Sequence, residues 1–230
     1  MKRFATIIAG LLMLAAFAAT ASAALRVPQV AFASGSLQAY FNGVGESINV
    51  LTDQEDVQRW ASTVSNNSTF TIQVELAGNA PLNTFGLYNA GLVAPPLYQV
   101  FPGGAGAGWF AVASFRTGPT RVVVNLFDNT AAFVGTTTYL GADRNDFGFY
   151  LQGPGGTFYT QDARNPGGLP QALTYAGTGL NSGQWWLCFE DLDMTAFPPG
   201  DYDDGVLFLE SVNPTPVNKS SWGELKARFK

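Results

Sequence analysis

Between Trp185 and Glu210 an apolar run ends in carboxylates, a Pro-Pro-Gly turn follows, and further carboxylates lead into a second apolar run. The first run, Trp185-Trp186-Leu187-Cys188-Phe189, is followed by Glu190, Asp191 and Asp193. Asp201, Asp203 and Asp204 precede the second, Gly205-Val206-Leu207-Phe208-Leu209-Glu210. Seven of the 17 acidic residues lie in these 26 positions, and no Lys or Arg occurs between Arg164 and Lys219. Carboxylates crowded within a few ångströms repel unless they are protonated or share a cation. Calcium is the cation that suits such a group, since it takes oxygen ligands from carboxylates, carbonyls and water. If the two runs pair as a hairpin, Glu190, Asp191, Asp201, Asp203 and Asp204 meet at one end of a sheet as a candidate calcium site. The alternative is a solvated acidic turn. The spacing is not that of an EF-hand, because Asp201-Tyr202-Asp203-Asp204-Gly205 misplaces the third ligand and Val212 stands where the closing Glu belongs.

Other chemistries have less support. The chain has no histidine, which removes histidine-based triads, histidine general bases and most zinc sites. Two-carboxylate glycosidase chemistry needs an acid with a raised pKa, and nothing in the sequence singles one out. Asp143, Asn145 and Asp146 form a second acidic group, but Arg144 lies among them and a solvated turn is the simpler reading. Carbohydrate binding would use exposed aromatics such as Trp60, Trp109, Trp185 and Trp186. Alternation along the strand sends Trp185, Leu187 and Phe189 to one face and Trp186, Cys188 and Glu190 to the other, so at most one of that tryptophan pair is exposed. Cys188 is the only cysteine, which excludes an internal disulfide, and its apolar neighbours predict a buried, inert thiol. No catalytic residue and no enzyme activity is assigned.

The elements that must hold these residues read as short strands and turns. Thr69 to Leu76 alternates with period two, and Trp109 to Arg116 and Arg121 to Phe127 form a hairpin across Thr117-Gly118-Pro119-Thr120. Three successive valines, Val122 to Val124, suggest burial on both faces. Ser36 to Phe41 and Ser47 to Leu51 read as a further hairpin across Asn42-Gly43-Val44-Gly45. Thr52-Asp53-Gln54-Glu55 has the form of a capping box and predicts a short helix over 53–62. The pattern Asn-x-Phe-Gly-x-Tyr-x-x-Gly occurs twice, from Asn83 and from Asn145, 62 residues apart. Glycine within a strand marks a bulge or a close approach, so these are read as two related strands, placed in facing sheets. The fold expected is an all-β, antiparallel, jelly-roll-like sandwich of one domain over 24–213, with the short helix near 53–62 and a second at the C-terminus.

The ends have their own character. Residues 1–23 read as a secretory leader, with Lys2 and Arg3, an apolar run to about Ala18, and Ala21-Ser22-Ala23 as the cleavage pattern. The apolar run is too short for a stable membrane span. Removing Lys2 and Arg3 from the 12 basic residues leaves 10 against 17 acidic ones, a net charge of −7, which argues against nucleic acid. The tail, 214–230, holds four of those ten basic residues. Ser221-Trp222-Gly223-Glu224 repeats the capping-box form, and Trp222, Leu225 and Phe229 share one helical face, so the tail is a candidate docking or sorting segment.

The succession Phe85-Gly86-Leu87-Tyr88-Asn89, Phe147-Gly148-Phe149-Tyr150-Leu151, Phe158-Tyr159-Thr160, Phe189-Glu190-Asp191-Leu192 and Asp201-Tyr202-Asp203-Asp204 resembles a bacterial exported domain of unknown function. That domain is found in PEP-CTERM-type secreted proteins and in large calcium-dependent surface adhesins. The resemblance covers roughly 80–213. It implies a β-sandwich and carboxylates suited to calcium, mapping onto Glu190, Asp201, Asp203 and Asp204. Family members usually carry Asn-Asp where this chain has Asp203-Asp204, which keeps an oxygen ligand. The tail has no Pro-Glu-Pro followed by an apolar span. Together these readings predict an exported, calcium-associated sandwich, secreted or at the cell surface, with a structural, adhesive or matrix role. Its expected partner is a surface polysaccharide or matrix protein, and the alternative is a carbohydrate-binding module.

Overall fold

The computed structural model describes residues 23–74 and 80–215. The leader, Glu75 and Leu76 of the alternating strand, and the tail helix lie outside the described residues. The strands are β1 (Trp60–Ser62), β2 (Asn67–Val74), β3 (Thr84–Asn89), β4 (Leu97–Phe101), β5 (Phe110–Thr117), β6 (Thr120–Phe127), β7 (Phe133–Leu140), β8 (Phe147–Gly153), β9 (Gly156–Tyr159), β10 (Ala172–Ala176), β11 (Trp185–Phe189), β12 (Gly205–Glu210) and β13 (Val212–Pro214). They form two antiparallel sheets. A seven-stranded sheet runs β10-β11-β12-β2-β5-β6-β7, and a six-stranded sheet runs β13-β1-β8-β3-β4 with β9 on β8. The all-β sandwich is therefore present. Ser211, at φ 58°, lies at the crossing from β12 in one sheet to β13 in the other.

Alternating residues from both sheets make the central core. Phe70, Phe115 and Phe189 of the larger sheet meet Phe149, Phe147 and Phe85 of the smaller, with ring centroids 5.3, 5.2 and 6.0 Å apart. Aromatic packing of this kind adds about 0.5–1.5 kcal/mol per pair beyond the area it buries. Val122 and Val124 face this core and are buried, whereas Val123 on the opposite face is only half-buried.

A third layer covers half of the larger sheet's outer face. Leu37 and Phe41 of a helix, α1 (Gly35–Gly43), pack with Ile48 and Val50 against Leu173, Tyr175, Trp186, Cys188 and Val206. This corrects the hairpin expected over 36–51. Leu37 and Phe41 are four apart and share one helical face. Asn42-Gly43-Val44-Gly45 ends the helix, with the Glu46 N–H bonded to the Phe41 carbonyl and Gly45 at φ 80°. The helix expected over 53–62 is absent as well. The Thr52 hydroxyl donates to Asp53 rather than capping a helix, and the Glu55 N–H bonds to the Thr174 carbonyl along the edge of β10. Glu55 bridges both Leu25 and Thr174 at the edge of β10, and β1 begins at Trp60.

The repeated motif is resolved in an unexpected way. Its two copies are β3 and β8, which pair directly in one sheet instead of facing each other across the core. The register sets Gly86 opposite Tyr150 and Tyr88 opposite Gly148. A methyl at Gly86 would collide with the Tyr150 ring and the Tyr98 carbonyl, and one at Gly148 with the Tyr88 ring. Each copy's glycine thus makes room for the other copy's tyrosine.

Candidate metal centre

β11 and β12 are neighbours, paired from Trp185↔Leu209 to Phe189↔Gly205. The pairing brings the end of one and the start of the other together, as the sequence spacing predicts. The 190–204 loop closes over that end. Inside it the Asp193 carboxylate accepts the Thr195 N–H and hydroxyl at 2.8 and 2.7 Å, and its carbonyl accepts the N–H groups of Ala196 and Phe197. Gly200 is required where the loop returns, because a Cβ there would press on the Glu190 carboxylate and the Met194 sulfur. Tyr202, at φ 56°, turns its fully buried ring under the third layer, where its hydroxyl donates to the Pro170 carbonyl at 2.7 Å.

Three of the five expected ligands converge. Glu190, Asp201 and Asp204 each offer a carboxylate oxygen, and these atoms lie within 4.8 Å of one another. Calcium holds its oxygens at about 2.3–2.6 Å, so a shell up to about 5 Å across accommodates that spread. Glu190 is buried and fixed by two N–H donors, Leu192 at 3.2 Å and Asp201 at 3.0 Å. Asp204 accepts the Asp191 N–H at 2.9 Å. The other two expected ligands stand aside. The Asp191 carboxylate turns to the Asn83 amide at 2.8 Å. Asp203 is buried and bonded to the Ser36 side chain, at the start of α1, and to Asp201.

Burial and mutual repulsion raise the pKa values here. Burial is the main cause for Asp204, pushed up to about 8, with the nearby Glu190 and Asp191 adding to it. Burial also raises Glu190 and Asp203, and Asp201 repels both. The two ion pairs among the described residues, Arg26 with Asp162 and Arg59 with Asp146, do not involve the cluster. The cluster therefore retains a proton at neutral pH unless a cation replaces it. Such a donor set fits a hard divalent ion, which takes its oxygen ligands from carboxylates and fills its shell with carbonyls or water.

The other candidates resolve differently. Asp146 pairs with Arg59, and the Asp143 carboxylate accepts the Asn145 N–H at 2.9 Å in a local turn. Asp146 lies beside the Phe147 end of β8, whereas Asn83, which holds Asp191, precedes Thr84, paired with Gln152 near the other end. That separates the two acidic groups by roughly 15–20 Å of strand. Trp60, Trp185 and Trp186 are buried, and Trp109 is half-buried against the core, so none of the four is exposed. Burial pushes the Cys188 thiol well up, as expected for an inert core cysteine.

Glu46 was not singled out by sequence reasoning. Its buried carboxylate accepts from the Thr178 N–H (2.7 Å) and hydroxyl (2.5 Å), the Asn181 amide (2.7 Å) and the Trp186 indole (2.9 Å). Burial pushes its pKa up, but these four donors outweigh it and lower the pKa. Glu46 thus fastens the third layer to β11 and to the loop that precedes it. No local motif marks it, because its donors lie more than 130 residues away.

No family model and no curated protein matches this chain. Among solved structures, an alginate lyase from Pseudomonas aeruginosa is weakly similar, at 12% identity and a TM-score of 0.14. That likeness covers 71% of this chain and 59% of the lyase chain. The chain belongs, on its own architecture, to the two-sheet antiparallel sandwiches.

Proposed function

We propose that this chain is an exported, calcium-associated β-sandwich protein with a structural, adhesive or matrix role at or outside the cell surface. The observation that carries the reading is the convergence of Glu190, Asp201 and Asp204, with no cationic side chain among the described residues paired to them. An ion there joins the end of β11 to the start of β12 and pins the loop between them. The role is to hold a fold together. The leader over residues 1–23 supports export, and among the described residues no helix is long and apolar enough to cross a membrane. A surface polysaccharide or matrix protein remains the partner class for such a module.

Calcium titration followed by thermal melting tests the reading. At a calcium concentration 100-fold above its Kd the gain is about 2.7 kcal/mol, or roughly 5–10 °C for a chain of this size. An identical melting temperature in millimolar calcium and in excess chelator would sink the proposal.

A further inference from the structure

A sheet edge is a row of unpaired N–H and C=O groups, and proteins normally blunt it by shortness, charge, proline or cover. Three ends of this sandwich follow that rule. β10 is covered by Glu55, β13 is three residues long, and β4 is five. β7 does not. It is eight residues long, it ends the seven-stranded sheet beside β6, and no described element pairs with its other side. From Asn129 to Ala142 there is no charged residue and no proline, in a chain carrying 29 charges. Within β7, Phe133 is 60% exposed, Val134 49% and Leu140 68%. One bulge, between Leu126 and Phe127 of β6, lies at the Phe133 end and leaves the stretch after it regular.

We propose that β7 is a self-association edge, pairing antiparallel with β7 of a second copy about a twofold axis. Two copies of an acidic chain repel least where they meet on residues without charge, and β7 itself carries none, with Arg121 of β6 opposite Leu140 and Asp128 in the preceding turn as its nearest charges. Residues opposite each other in an antiparallel pair share a face, so the twofold passes through a residue. An axis at Thr137 sets Thr136 against Thr138, Gly135 against Tyr139, and the exposed Val134 against the exposed Leu140. Threonine pairs of this kind favour cross-strand contact. A specific interface needs about 1,000 Å² or more, so backbone pairing is joined by burial of Val134, Leu140 and the neighbouring Phe133. The contact is isologous and closes at two copies, fusing the larger sheets into one.

Sedimentation velocity on the full-length gene product, as its expression host processes it, tests this, with the monomer mass fixed by mass spectrometry. The expected result is a species of twice that mass, with amide exchange over residues 133–140 slowing as concentration rises. Thr138→Lys, on the outer face, sets two like charges near the axis and is expected to abolish the dimer without shifting the melting temperature of the monomer. Thr138→Val keeps the β-branch and is expected to leave the dimer in place. A wild-type chain that stays monomeric to roughly 100 μM overturns the proposal. So does a dimer that survives Thr138→Lys, or one whose amides over 133–140 exchange at a rate independent of concentration. Open-ended aggregates instead of a dimer also count against the closed twofold.

Discussion

Asp204 is the residue on which the candidate centre depends most. Its carboxyl is the one pushed up to about 8, and it sits between the Asp191 N–H and the Glu190 carboxyl. Asp204→Asn keeps an oxygen for the Asp191 N–H and replaces a shared proton with a permanent donor toward Glu190. Without calcium, this variant is expected to melt at or above the wild type at pH 8, because a repulsive charge is gone. With calcium it loses the stabilisation, a fall of roughly 5–10 °C in the calcium-dependent shift. Melting both proteins with and without chelator checks this. A full calcium shift in Asp204→Asn places the ion elsewhere. At this scale the sequence was informative but coarse. Seven carboxylates in 26 positions marked the region, yet which three converge depends on the loop path. Gly200 admits Glu190, the left-handed Tyr202 reorients its neighbours, and Ser36 and Asn83 hold Asp203 and Asp191. Those partners lie 108 to 167 positions away in the chain, beyond any local pattern.

Elements were legible where period and partner agree. The β5–β6 hairpin follows from its strand runs and the turn between them, and the β11–β12 pair from two apolar runs flanking one acidic loop, which leaves the pairing itself conditional. Residues 36–41 are ambiguous in sequence because Asn-Gly serves hairpins and helix ends equally, and the Leu37/Phe41 spacing decides between them only once an apolar sheet face is there to receive it. The 53–62 segment carried a capping signal without an apolar stripe, and the open edge of β10 outcompeted it. The paired motifs of β3 and β8 offer the sharpest test of an element. A methyl at Gly148 meets the Tyr88 ring, which is held by the edge of Tyr159 at 5.1 Å and by the Arg164 guanidinium at 5.1 Å. Gly148→Ala is therefore expected to cost about 1–3 kcal/mol, the usual penalty of overpacking. Gly135→Ala in β7, where a Cβ meets nothing within 4 Å, is the control and is expected to change stability by less than about 1 kcal/mol. Urea denaturation of both variants measures the difference. Equal costs would mean that the reciprocal glycine–tyrosine fit contributes nothing particular.

At the scale of the whole molecule, two buried carboxylate systems give stability a direction with pH. Glu46 joins the third layer to the larger sheet, and its pKa is lowered by its four donors. A lowered carboxylate contributes stability that is present above its ordinary value and lost as pH falls through its folded one. Glu190, Asp203 and Asp204 are raised, so their contribution is largest below the ordinary carboxylate range and is lost as pH rises, through about 8 for Asp204. The metal-free protein is thus expected to be most stable in mildly acidic buffer, with an acid limb set by Glu46 and a neutral-to-alkaline limb set by the cluster. On the proposed reading calcium displaces the shared proton and neutralises the repulsion, so it is expected to flatten the second limb and leave the first unchanged. Glu46→Gln keeps an acceptor but leaves some of four buried donors without charge-assisted partners. It is expected to cost about 2–3 kcal/mol at neutral pH, with a smaller loss in acid. Melting curves from about pH 4 to 9, with calcium and with chelator, separate the two limbs. If calcium raises the acid limb as much as the alkaline one, the ion acts through a general effect on the fold and not through Glu190, Asp201 and Asp204.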